Sequence, residues 1–177
     1  GIGRKTANDI IAATGVNPKS FEEHERLSKD EEAFSAYVFK TIVDPFLGTI
    51  NFFKVYSGTT AGLSDVYVPN RDQSVKVGSI SGMMGKTQVP VEVLHAGDIG
   101  AVAKMGELAT GYTMCDKKAQ VRYVAPELPT PVIYVAIAAK TKQDEDKMST
   151  SLQKLNLEDP SFEIKRNPET AQLLIGG

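Results

Sequence analysis

Glycine and proline punctuate this chain so densely that no long helix can run through its middle. Ten of its 15 glycines lie between Gly48 and Gly111. Between those breaks the sequence offers short runs rich in β-branched and aromatic residues. Ala33–Val43 ends at Asp44-Pro45, and Thr49–Tyr56 ends at Ser57-Gly58. Ser64–Val68, Ser74–Ile80, Gln88–Leu94 and Ile99–Met105 follow, with shorter pieces at Tyr112–Cys115 and Val121–Val124. Val89, Val91 and Val93 alternate with Gln88, Pro90 and Glu92, the pattern of a strand with one wet face. Short strands at about 8–12-residue spacing predict an all-β sandwich or barrel. A small barrel is expected, because closure removes the exposed edges that many short strands would otherwise leave.

The flanks read differently. Lys5–Thr14 is predicted as a short helix, with Gly15 as its C′ residue and Asn17-Pro18 beyond it. Residues 19–32 are polar, contain His24 and read as a linker. Pro126, Pro129 and Pro131 keep the backbone extended and mark a domain boundary. The expected division is therefore 1–32, 33–128 and 129–177. In the last part Val132–Ala139 reads as a strand and Lys142–Asn156 as a helix with Met148, Leu152 and Leu155 on one stripe. Thr141 is its expected N-cap, and Asp144, Glu145 and Asp146 favour the positive end of the helix dipole. Phe162–Arg166 and Gln172–Ile175 form a hairpin around Asn167-Pro168-Glu169-Thr170. The order β-α-β-β is that of an α+β, ferredoxin-like split βαβ module lacking its second helix and fourth strand. On that reading the chain is expected to be an internal piece of a longer protein.

Composition narrows the chemistry. The 177 residues carry 20 Lys+Arg against 22 Asp+Glu, a formal net charge of −2, so any nucleic-acid contact must be local. One cysteine, Cys115, excludes a disulfide framework and a multi-cysteine zinc site. No apolar run approaches the ~20 residues of a membrane span. No apolar leader segment follows the N-terminal residues either, and the expected compartment is cytoplasmic. Gly82-Met83-Met84-Gly85-Lys86-Thr87 imitates the end of a phosphate-binding loop, but Ile80 stands where its first glycine belongs and a strand follows in place of a helix. His24, His95 and Cys115 form no legible constellation, and Asp144-Glu145-Asp146 reads as a solvated first helical turn. No catalytic, cofactor-binding or metal-ligating residue is expected in this chain. The remaining candidates are cations: Arg71 between two strands, Lys76 within the expected strand Ser74–Ile80 and Lys86 on the glycine-rich turn, placed to contact nucleic-acid phosphates.

Asp44-Pro45-Phe46-Leu47-Gly48-Thr49-Ile50-Asn51-Phe52-Phe53-Lys54-Val55-Tyr56-Ser57-Gly58 resembles the stretch that opens domain II of bacterial elongation factor G. Ala96-Gly97-Asp98-Ile99-Gly100-Ala101-Val102 is similar to that family's later turn and strand, and Pro129-Thr130-Pro131-Val132-Ile133 to the start of its domain III. Lys140-Thr141-Lys142, Glu158-Asp159-Pro160-Ser161-Phe162 and Asn167-Pro168-Glu169-Thr170 continue in family order. The N-terminal helix resembles the last helix of the family's GTPase domain. Lys54, Tyr112 and Ala139 stand where the family commonly has Arg, Asp and Pro. The resemblance implies a translational GTPase whose domain II barrel faces small-subunit ribosomal RNA and whose domain III couples the GTPase domain to translocation. GTP and Mg would belong to the parent protein and not to this chain, and the partners implied are the ribosome and the parent's own GTPase domain. A diverged paralogue, a ribosome-protection protein of the same superfamily and a stand-alone RNA- or protein-binding barrel are the alternatives.

Overall fold

The computed structural model describes residues 11–17, 23–85 and 87–177. Two strands precede the expected barrel, β1 (Ile11–Val16) and β2 (Glu23–Leu27). The barrel strands are β3 (Ser35–Asp44), β4 (Gly48–Ser57), β5 (Asp65–Val68), β6 (Gln73–Lys76), β7 (Ile80–Met84), β8 (Thr87–Pro90), β9 (Ile99–Ala103) and β10 (Thr113–Cys115). The short β11 (Arg122–Tyr123) follows, and then β12 (Tyr134–Ile137), α1 (Lys142–Glu158), β13 (Glu163–Arg166) and β14 (Leu173–Gly176).

Eight strands form one sheet in the order β6-β5-β10-β3-β4-β9-β7-β8. Its core gathers Val38, Phe53, Val55, Val66, Val68 and Val102, all at most 2% exposed. Val75 of β6 and Ile80 of β7 pack on that same core although they lie near opposite ends of the strand order. The sheet therefore curls around its core like a barrel. β6 and β8 end the strand order and share no ladder, so the closure is made by side chains and leaves a seam. Two buried polar side chains of the barrel pair with each other and with the backbone: Thr41 donates to Asn51 Oδ1 at 2.9 Å, and Asn51 Nδ2 donates to the Met105 carbonyl at 3.1 Å.

Two expected strands are drawn differently by the structure. Ser74–Ile80 is not one strand, since β6 stops at Lys76 and β7 starts at Ile80 around the non-regular Val77–Ser79. Gln88–Leu94 is laddered only to Pro90, because a proline has no N–H to offer the next rung.

The helix expected over 5–14 is contradicted at residues 11–14, which belong to strand β1, while residues 5–10 lie outside the described residues. The linker expected over 19–32 likewise contains strand β2. The cause is tertiary pairing. β1 is the centre of a three-stranded sheet, β11-β1-β2, with Gly15 opposite Tyr123 and Val16 opposite Arg122. Such long-range pairing overrides the weak helical preference of a short segment. Gly15 is a point of close approach and not a helix cap: a Cβ there would meet Val121 Cγ2 at 2.4 Å. A second core of Tyr67, Cys115, Val121 and Tyr123, flanked by Tyr37 and Tyr56, joins this sheet to the barrel. Ser35 ties it together, with its hydroxyl 2.7 Å from Tyr123 Oη and 2.6 Å from Ser57 Oγ.

The C-terminal unit has the expected β-α-β-β order. Its antiparallel sheet runs β12-β14-β13, and hydrogen bonds cross all three strands: Tyr134 Oη donates to Glu163 Oε2 at 2.6 Å while Lys165 Nζ donates to Tyr134 Oη at 2.9 Å. Thr141 caps α1 by accepting from the Asp144 N–H, and Leu152 is the residue of the helix that is buried.

Two measurements check this arrangement. Gly15→Ala forces a methyl against Val121 and should lower stability by about 1–3 kcal/mol, the range for overpacking, in urea unfolding. Burial pushes the Tyr123 hydroxyl up to about 12, and the hydrogen bond to Asp72 followed by burial takes Tyr67 there too. The unfolded chain loses these protons near 10, so between 10 and about 12 the folded state binds more protons. Their contribution is complete below pH 10 and is lost as pH rises toward about 12, which phenolate absorbance and unfolding curves on one pH series should show together.

Candidate nucleic-acid interface

The seam of the barrel forms a cleft of about 590 Å³ between the end of β6 and strand β8. Lys76, Val77, Ser79, Gln88, Lys104 and Met105 are among its lining residues. Among the described residues no carboxylate lines it. Lys76 closes the β6 side, with Asp65 opposite it across the ladder to β5. The Asp65 carboxylate accepts from the Ser64 hydroxyl at 2.8 Å, so part of its capacity is spent locally.

Lys104 enters from the other wall, immediately after β9. Its φ is +61°, a left-handed conformation that a lysine adopts only against its own preference. The backbone there is pinned because the Lys104 N–H donates to the Thr49 carbonyl at 2.8 Å. Neither ammonium makes an ion pair among the described residues. The cleft thus offers two unneutralised cations beside hydroxyl and amide groups, a lining suited to a phosphodiester backbone.

Of the three cations singled out from sequence, the structure brings Lys76 into this seam. Lys86 lies outside the described residues, between Gly85 and the first residue of β8. Arg71 is not part of the seam, since it sits in the turn at the far end of β6. That turn is rigid. The Arg71 guanidinium lies 5.8 Å from the centre of the Tyr112 ring, Asn70 Oδ1 accepts from the Thr113 N–H at 2.9 Å, and Tyr67 donates to Asp72. A second cleft of about 570 Å³ lies beside it, lined by Tyr67, Asn70, Arg122 and Tyr123 among others. Sequence reasoning missed Lys104 because it follows an apolar strand without any turn signal, and it missed Tyr112 because its partner Arg71 is 41 positions away (112 − 71).

The other reactive side chains are accounted for locally. His95 Nδ1 is 2.6 Å from Asp30 Oδ2 on an exposed turn, and Asp30 Oδ1 accepts from the Ala96 N–H at 3.0 Å. Burial pushes the Cys115 thiol up to about 11, the opposite of what a nucleophile needs. His24 belongs to β2, opposite Gly15. Asp144 and Glu145 occupy the first turn of α1, and among the described residues no group of three His, Cys, Asp or Glu could hold a metal ion. Among the same residues no helix is long and apolar enough to cross a membrane.

Comparison with known proteins agrees with this architecture. Residues 33–117 match the family model described as elongation factor G domain 2, and residues 128–177 match that of elongation factor G, domain III. A crystal structure of a Thermus thermophilus protein is similar over 82% of this chain at 30% identity, with a TM-score of 0.73. The chain spans 22% of that protein's length. A barrel-like sheet and a β-α-β-β module, each matched by the corresponding domain model in the same order, place this chain in the elongation factor G family.

Proposed function

We propose that this chain forms the non-catalytic middle of an elongation-factor-G-like translational GTPase, whose barrel docks on small-subunit ribosomal RNA. The βαβ module then couples a GTPase domain elsewhere in the parent protein to translocation. GTP and Mg act in that parent, and this chain supplies positioning. The observation that carries the reading is the seam cleft, where Lys76 and Lys104 stand without a lining carboxylate on a barrel of the domain 2 type. Lys86, the residue before β8 in the sequence, is a further candidate contact, while Arg71 provides a separate one on the Tyr112 side. A near-neutral chain needs such local patches to bind a polyanion, since phosphate contacts depend on nearby cations and not on net charge.

The test is co-sedimentation with ribosomes over a salt series. Lys76→Glu, Lys86→Glu and Arg71→Glu should each weaken binding about tenfold and lower the salt slope by about one per lost phosphate contact. Unchanged affinity in all three, or wild-type binding that ignores salt, overturns the reading. Lys104→Gly separates binding from stability. It relieves a left-handed backbone and should raise unfolding stability by about 1 kcal/mol, yet weaken ribosome binding by removing a cation from the cleft.

A further inference from the structure

The second cleft, of about 570 Å³, lies where β1 and β11 meet the turn between β5 and β6. Its size falls within the ~300–1,000 Å³ of sites that enclose a small ligand group. Val16, Pro69, Val124 and Ala125 give it apolar walls. Val124 and Ala125 begin the connection to β12, which has no regular structure up to Ile133, and Val124, Val132 and Ile133 are each at least 66% exposed. Gly111, at φ +90°, adds backbone and no side chain.

Three polar side chains line the same cleft. Asp72 comes from the β5–β6 turn with φ +52°, a left-handed conformation that Asp and Asn adopt more readily than most residues. Tyr67 donates to its Oδ1, which holds the carboxylate in place and leaves Oδ2 without a hydrogen bond among the described residues. Asn70 accepts from the Thr113 N–H through Oδ1, so its Nδ2 donors are unspent among the same residues. Arg122 comes from β11, 50 positions further along the chain (122 − 72). Among the described residues Asp72 and Arg122 make no ion pair, with each other or with any other side chain. A carboxylate and a guanidinium that share a cleft without neutralising each other suit a flat ligand with two donors on one edge and two acceptors beside them.

Guanine has that pattern. N1–H and N2–H are adjacent donors that one carboxylate accepts together, and O6 with N7 are acceptors that an arginine takes bidentately. Adenine and cytosine each set a ring acceptor beside a single amino donor. Uracil sets acceptors on both sides of its one N–H. Each of these three turns a lone pair toward Asp72. We propose that this cleft takes an unpaired guanine base of an RNA strand, with Asp72 on N1–H and N2–H and Arg122 on O6 and N7. The Asn70 amide adds a donor beside O6. Arg71, next to Asp72 in the sequence and turned toward Tyr112, takes a flanking phosphate. Single-stranded RNA is commonly read through splayed-out bases held by their edges. The inference rests on the reading that the barrel meets RNA, and it does not depend on the seam.

The test titrates the full chain with short uridine-rich RNAs whose central base is guanine, adenine, cytosine or hypoxanthine, and follows the Gly111, Thr113 and Val124 amides by NMR. The guanine strand should bind at least about tenfold more tightly than the adenine and cytosine strands, the discrimination of one good bidentate pair. Hypoxanthine lacks the N2 donor and should fall between. Asp72→Asn suits the same left-handed backbone and keeps an oxygen for Tyr67, so it should remove the guanine preference without unfolding the turn. Arg122→Gln should weaken the guanine strand more than the adenine strand. Lys76→Glu should leave the preference intact, so failure of the seam to hold ribosomes and failure of this cleft to select guanine are read separately. No binding, equal affinity for all four strands, or a guanine preference that survives both cleft variants overturns the proposal. Free GMP binding as tightly as the guanine strand marks a nucleotide site in place of an RNA site and overturns it too.

Discussion

The antiparallel ladder between β3 and β4 is the spine on which the other parts depend. Both strands are ten residues long, and every larger assembly of the chain is attached to one of them. β9 extends the sheet from β4, β10 extends it from β3, and α1 rests on the end of β3. A shift of register between Val38 and Lys40 is central to this arrangement. It turns two consecutive residues, Phe39 and Lys40, toward solvent between the buried Val38 and Thr41. An extra residue of this kind bends a strand and increases its twist. The half of β3 before the shift lines the barrel with β10, and the half after it leaves that neighbour and meets the second unit.

The seam has a related origin. Eight strands curl far enough to share a core, yet β6 and β8 do not join. Val77–Ser79 crosses this gap as irregular chain, and the backbone at Lys104 takes a left-handed turn at the same place. Both irregularities place polar and cationic side chains where a closed ladder would have placed backbone. The cleft is thus a product of incomplete closure, and its positive character comes from two residues 28 positions apart (104 − 76).

What was legible in the sequence follows the range of the interactions involved. The β3–β4 hairpin, the β13–β14 hairpin and α1 with its Thr141 cap all rest on neighbours close in sequence, and periodicity and turn chemistry identify them. β1 and β2 were not legible, because β1 pairs with Tyr123 and Arg122, more than 100 residues away. Gly15 was misread for the same reason: a glycine beside a helix-like segment looks like a cap unless Val121 is known to press on it. Val91 packs on the barrel core, but Val89 is no more buried than its neighbour Gln88, and the alternation of Val89, Val91 and Val93 could not report that Pro90 ends the ladder. Of the candidate interface, Lys76 was legible as a cation within an expected strand, and only the structure ends that strand at it. Its partner Lys104 was not, since only the fold brings the end of β9 to the end of β6.

The exposed connection between the units also bears on how the protein can be cut. From Tyr123 to Ala139 there is no lysine or arginine, and Glu127 is the one charged residue. An unstructured, solvent-facing segment is ordinarily where a protease enters first. Here an enzyme that recognises basic residues finds nothing to grip, and proline at 126, 129 and 131 obstructs several of the remaining peptide bonds. The joint can therefore stay open to solvent without being a point of scission. Glu127-Leu128 is the bond at which an acid-specific protease could separate the barrel from the module.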